Sequence, residues 1–285
     1  MSLVSAPLVR LTASQLRHSR KTMMALLVSL VPFAVGLLMA LGNGIDKAEG
    51  SSFGRYYEHD AGFSGPAAFL ILGGTVPLVA LLLAGGLVAE EVEDRTLSYL
   101  LVRPLRRSTI VVSKFIPVAA LAALLGALQV LLFGLTRLVA WALLDPGATA
   151  TFGASDEKAV NIGLLLAWSI PVGMVAAAFV ATTLSAVFGF VSLLTTRFHF
   201  IVNLLVLLAF ELPFANLGGL GLGAFTSIFH GVSLLDRADP TQSLTGAPAP
   251  MWLALLFLPA WAALWLWLAC RRASRRDFNI TSAAS

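Results

Sequence analysis

The chain has 285 residues, of which 58% are hydrophobic and only 12% charged, and its mean hydropathy is +0.87. Soluble domains carry about 25% charged residues, so lipid is the solvent for most of this chain. The net charge of +4 and the pI near 9.6 do not imply a nucleic-acid partner, because the lysines and arginines lie between apolar runs and read as topology signals.

Unpaired backbone amides are costly in hydrocarbon, so long apolar runs without strict alternation predict spanning helices, not a barrel. The first 22 residues come before any such run. Leu8, Leu11 and Leu16 fall roughly on one helical side and Arg10, Arg17 and Lys21 on another, which predicts an interfacial helix along the inner leaflet. Six runs then approach the roughly 20 apolar residues that a crossing needs: Met23–Leu41, Ala67–Ala89, Phe115–Leu135, Ile162–Val191, Phe200–Leu217 and Met251–Cys270. The first begins too late for a secretory signal and reads as an uncleaved span. The fourth is overlong and contains Pro171, which predicts a kink or tilt. Residues 218–250 are too broken to span and too apolar for a solvated loop, so short re-entrant or interfacial helices are expected there. Tyr56, Tyr57, Trp141 and Trp252 stand near outer ends, where amphipathic rings favour headgroups. The lone Cys270 excludes an internal disulfide and reads as a small lipid-facing residue.

The fold class expected is therefore an all-α membrane protein with six transmembrane helices in one domain. With the N-terminus inside, fourteen of the 19 lysines and arginines fall on the cytoplasmic side. Lys47, Arg55, Arg137, Lys158 and Arg237 make up the outer set. This bias places both termini, including the tail 271–285, in the cytoplasm of a cell that inserts the chain in its inner membrane.

No stretch reads G-x-x-x-x-G-K-[ST], so nucleotide phosphates are not expected to bind here. His18, His59, His199 and His230 lack ligand spacing, and no metal site is expected. The informative segment is the cytoplasmic loop at 90–114. Glu90, Glu91, Glu93 and Asp94 precede Thr96, which is suited to cap a short helix; Leu97, Leu100 and Leu101 make its apolar stripe, and Pro104 ends it. Arg103, Arg106 and Arg107 follow, the charge order a helix dipole favours, and Ser108 is placed to cap the next helix. Such a stripe can lie on the bilayer or dock in a groove on a soluble partner.

The acidic cluster, Thr-Leu-x-x-Leu-Leu from Thr96 to Leu101, Arg103-Pro104, Arg106-Arg107 and then Lys114 opening the next span resemble the permease subunits of ABC-2 type transporters. The six-span plan extends the resemblance to nearly the whole chain; Arg95 departs from the small residue usual before the threonine. The resemblance implies that the loop is a coupling helix seated on a separate ABC ATPase. Glu91, Thr96, Leu97, Leu100, Leu101, Arg103, Pro104, Arg106 and Arg107 would form that contact. It also implies a second permease copy or a homologous permease as partner, export, and ATP and Mg on the ATPase, with no cofactor in this chain.

One acid, Glu211, lies inside a predicted span, between Phe210 and Leu212 and just before Pro213. An ionisable group in hydrocarbon costs roughly 2.5–3.5 kcal/mol on insertion scales, so it should face protein or water. It reads either as a translocation-path residue, with Phe210 and Pro213 beside it, or as a hydrogen-bonded helix contact. In the resembled family the second and fifth spans line the path between two permease halves, which favours the first. Two other classes make different demands. A membrane-embedded enzyme or assembly factor needs paired carboxylates or histidines at one face, and an ion-coupled secondary transporter needs more intramembrane polar groups and an inverted repeat.

Overall fold

A computed structural model describes residues 4–48, 63–87, 106–144, 149–151, 159–195, 198–213, 226–238 and 249–275. Helix α1 is Ala6–Arg17 and α2 is Arg20–Ala48. Helix α3 starts at Ser64–Pro66, widens to a π-helix over Ala67–Thr75 and returns to α-helix at Val76–Ala84. Helix α4 is Arg107–Leu144 and α5 is Ile162–Leu194. Helix α6 joins an α-helical His199–Val206 to a π-helical Leu207–Glu211, α7 is Ser227–Ala238, and α8 is Met251–Arg275.

Five of these helices are long and apolar enough to cross a membrane, in α2, α3, α4, α5 and α8. The fifth predicted run does not make a sixth such helix. Its described apolar helix is His199–Glu211, which at 1.5 Å per residue is too short to cross. The all-α fold class holds, with one short hairpin added. Strand β1, Thr149–Thr151, pairs antiparallel with β2, Ala159–Asn161, in a hairpin between α4 and α5.

The third predicted run is Phe115–Leu135, but its helix extends from Arg107 to Leu144, a length of about 57 Å. Apolar composition marks where hydrocarbon begins, whereas backbone hydrogen bonds continue beyond it. The Arg106 carbonyl accepts from the N–H groups of Thr109 and Ile110 at 2.9 and 3.3 Å, so the helix starts ahead of Ser108, which lies in its first turn instead of capping it. Lys114 and Arg137 consequently both sit inside the helix and are buried. Neither is therefore a loop charge, which leaves 13 residues in the predicted inner set and four in the outer.

Packing centres on the antiparallel pair α4 and α5. A Cβ at Gly126 would lie 3.1 Å from the Ala177 carbonyl oxygen, so the backbones meet where no side chain fits, as membrane helices do without a hydrophobic driving force between them. Across the same layer, Gln129 of α4 donates to Ser29 Oγ of α2 at 3.2 Å and accepts from Thr75 Oγ1 of α3. Three spans are thus tied by side chains that hydrocarbon would leave unsatisfied. Thr75 closes the π segment, its hydroxyl lying 3.2 Å from the Leu70 carbonyl five residues back.

Both ends of the described chain meet at one end of the bundle. The Ser5 N–H donates to Ser113 Oγ at 2.8 Å, and Cys270 Sγ stands 4.0 Å from the Ser108 carbonyl. Val111, Leu193, Ala269 and Ala273 form a buried cluster there. Cys270 packs half-buried against this cluster and so does not face lipid. In α1, Leu8 and Thr12 are the buried residues and Leu16 packs on the core, while Leu11 is 51% exposed. The leucines predicted to share a side are divided between protein and surroundings. Helix α7 is also more deeply placed than an interfacial helix, with Ile228, Phe229, Leu234 and Leu235 all buried.

Gln129→Leu should lower stability by about 0.6–1.7 kcal/mol, the range for interhelical hydrogen bonds in membranes. Gly126→Leu should cost more, because its obstruction is backbone. Unfolding titrations of both variants in the same detergent check the order; a larger loss for Gln129→Leu would contradict it.

Candidate functional site

The short α6 is amphipathic in reverse. Its buried residues are Asn203, Leu207 and Glu211, spaced i, i+4 and i+8, so they share one stripe. Ile201, Leu205 and Leu208 are 56–61% exposed. A helix solvated by lipid turns its polar groups toward protein, and the two polar side chains on the stripe each find a partner.

Asn203 donates its amide N–H to the Gly85 carbonyl at 3.2 Å. Gly85 closes α3, its own N–H reaching the Leu81 carbonyl at 2.8 Å. At the other end of α6, the Glu211 carboxylate accepts the Ser227 N–H at 3.0 Å and also receives the Ile228 N–H. Ser227 opens α7, so Glu211 caps a helix that begins within the protein. First-turn N–H groups have no intrahelical partner and carry the positive end of the helix dipole, so a carboxylate is suited to them. Thr226 Oγ1 accepts the Phe229 N–H at 3.4 Å and completes the cap.

From this joint α7 continues toward the hairpin end of the bundle. A Cβ at Gly231 would lie 2.5 Å from Val180 and 3.4 Å from Leu72, and Leu235 lies against Gly173. Helix α6 follows the opposite end of α5. The pair α6 and α7 therefore runs along the bundle in two steps that meet at Glu211 and Ser227.

The joint lies beside both π-helical segments. Leu212 reaches within 3.9 Å of the Cβ position of Gly73, inside the π segment of α3, and the π segment of α6 ends at Glu211 itself. Pro213 has no N–H to close a regular turn, which favours a widened turn ahead of it. Such π segments are rare and concentrate at functional positions. Helix α7 is held laterally by His230, whose ring stacks on Phe257 at 4.0 Å. Phe257, Trp261, Trp265 and Phe190 continue the contact at centroid distances of 5.2–5.7 Å. Elsewhere, a largely apolar groove of about 730 Å³ opens between α2 and α4, with Phe33, Leu37, Leu135, Thr136 and Val139 in its lining.

Of the residues singled out for ATPase coupling, Glu91, Thr96, Leu97, Leu100, Leu101, Arg103 and Pro104 lie outside the described residues. Arg106 is exposed just before α4 and Arg107 is its first residue. Phe210 and Pro213 are exposed while Glu211 turns inward to α7. The three therefore do not share one surface. The second span, expected along the path, buries most of its π and α-helical length within this chain and leaves Phe69 outward. Gln129 and Asn203 were missed, although an amide inside an apolar run is itself a sign of an interhelical hydrogen bond. Among the described residues, no group of three or more His, Cys, Asp or Glu side chains is placed to hold a metal.

Glu211→Gln keeps an acceptor for the α7 N-terminus and should fold as the parent does. Glu211→Leu leaves the Ser227 N–H unpaired and should cost about 1–3 kcal/mol. Thermal unfolding of the two variants checks this, and equal stability would remove the capping role.

A family profile described as "ABC-2 family transporter protein" matches residues 15–203, more than half of the chain. The match includes the loop at 90–114 and ends at Asn203, before Glu211. No curated protein matches the chain.

Proposed function

Because the chain belongs to the ABC-2 family of transporter proteins, we propose that it is the permease subunit of an exporter driven by a separate ABC ATPase. The observation that carries this reading is how the cytoplasmic loop is anchored. The loop leaves α3 just beyond Leu87, which packs into the core, and re-enters at Arg106, whose carbonyl opens α4. In this reading the loop forms a helix, and two such anchors pass its displacement to the bundle. In this reading Leu97, Leu100 and Leu101 dock in a groove on the ATPase, and Arg103, Arg106 and Arg107 pair with acids at its rim.

The chain then makes six crossings, the fifth built from α6 and α7 in series. Both termini lie in the cytoplasm, as the shared end of α1, α4 and α8 and the basic bias support. A second permease copy completes the translocation path, covering apolar faces such as that of α6. Closure of the ATPase pair on ATP and Mg moves the loop helix, rocks the bundles and alternates access between them. No bond is made or broken in this chain. Glu211 acts at the joint of the fifth crossing, where its carboxylate holds α7 in register with α6.

Leu100→Asp with Leu101→Asp should place charge in a desolvated contact, costing several kcal/mol of binding. The ATPase should no longer co-purify, while the permease still inserts. Retained co-purification would put that stripe on lipid instead. The permease alone should hydrolyse no ATP.

A further inference from the structure

We propose that Asn203 is a positioning residue that transmits movement of the inner end of the second span to the joint in the fifth crossing. The inference rests on the permease reading above and adds to it the residue that links loop to path. Three observations place Asn203 there. Its side chain is fully buried and donates to the Gly85 carbonyl, and Gly85 lies three residues before the loop at 88–105. It shares one helical stripe with Glu211, two turns further along α6, so a pull on Asn203 acts along the axis that ends at the carboxylate. The rest of that helix is mostly exposed apolar surface, with α5 and α3 as its principal neighbours. In lipid, apolar faces slide with little directional preference, whereas a hydrogen bond holds one register.

The Gly85 side of the contact is equally constrained. A Cβ there would stand 2.5 Å from the Leu81 carbonyl oxygen of its own last turn, so the end of α3 needs bare backbone, and it would lie in ordinary contact, at 3.5 Å, with the Asn203 amide nitrogen. When the loop is displaced, α3 carries its last carbonyl with it, α6 follows through Asn203, and the bond between Glu211 and the α7 N-terminus lengthens or shortens. The two half-helices then change their angle at the π segment, which is already wider than an α-helical turn.

The test uses the full permease with its ATPase in proteoliposomes. Cys270 is replaced by Ser and a reporter cysteine is placed at the exposed Phe210, next to the joint. The rate at which maleimide labels Phe210→Cys is measured without nucleotide and with a non-hydrolysable ATP analogue. The nucleotide should change that rate at least fivefold when Asn203 is present, and less than twofold in Asn203→Leu and Asn203→Ala. Both variants should keep ATPase co-purification and hydrolysis. The Ala variant guards against a folding defect of the bulkier Leu, and a merely structural Asn203 would lower the melting temperature with the nucleotide response intact. A response retained in either folded variant overturns the proposal, as does a parent protein whose labelling ignores nucleotide while the ATPase is bound. If the ATPase fails to co-purify with the parent, the permease reading falls and this inference falls with it.

Discussion

Hydrocarbon offers no hydrogen bonds, and the architecture of this chain follows from how its few intramembrane polar groups are satisfied. The decisive case is the bond from the Ser227 N–H to the Glu211 carboxylate. A carboxylate within a span and a helix beginning inside the protein would each be costly alone. Placed together they remove each other's penalty, and that pairing is what lets α7 begin inside the protein at the end of α6. Asn203 and Gln129 follow the same rule, each donating to an oxygen of another helix.

The layer around this bond combines features that favour movement. Two π segments lie against it, and α6 is attached there through Asn203 and Glu211. The surrounding frame is firmer. Helices α4 and α5 pack backbone to backbone at Gly126, Gln129 ties α2, α3 and α4, and an aromatic row fixes α7 to α8. A permease in which one crossing moves against a stable frame has a place for alternating access to act.

Most of the frame was legible in the sequence, since apolar run length reports directly on hydrocarbon. Met23–Leu41, Ile162–Val191 and Met251–Cys270 fall within α2, α5 and α8, and the resemblance carried by the loop at 90–114 is borne out by family membership. Run length could not report the overhang of α4, because Arg107 to Lys114 mix polar with apolar residues and are held by contacts to distant parts of the chain, such as Ser5 to Ser113. That is also why Arg137 read as a loop charge and proved to be buried. The joint of α6 and α7 was half legible. Glu211 and Pro213 signalled an irregular span, but Ser227 as the partner lies sixteen residues away, a separation with no periodic signature. The reversed amphipathicity of α6 was likewise present in Asn203 and Glu211, eight residues apart, yet it acquires meaning only once Gly85 and Ser227 are brought to them.

The central claim is that α6 and α7 together complete one crossing. Sidedness of thiol labelling tests it directly, with single cysteines at the exposed Phe198 and Met251 in a background lacking Cys270. An impermeant maleimide should label Met251→Cys in intact cells and Phe198→Cys only in inverted vesicles. Labelling of both positions from the same side would mean that the chain between them does not cross, leaving five spans and ends on opposite faces of the membrane.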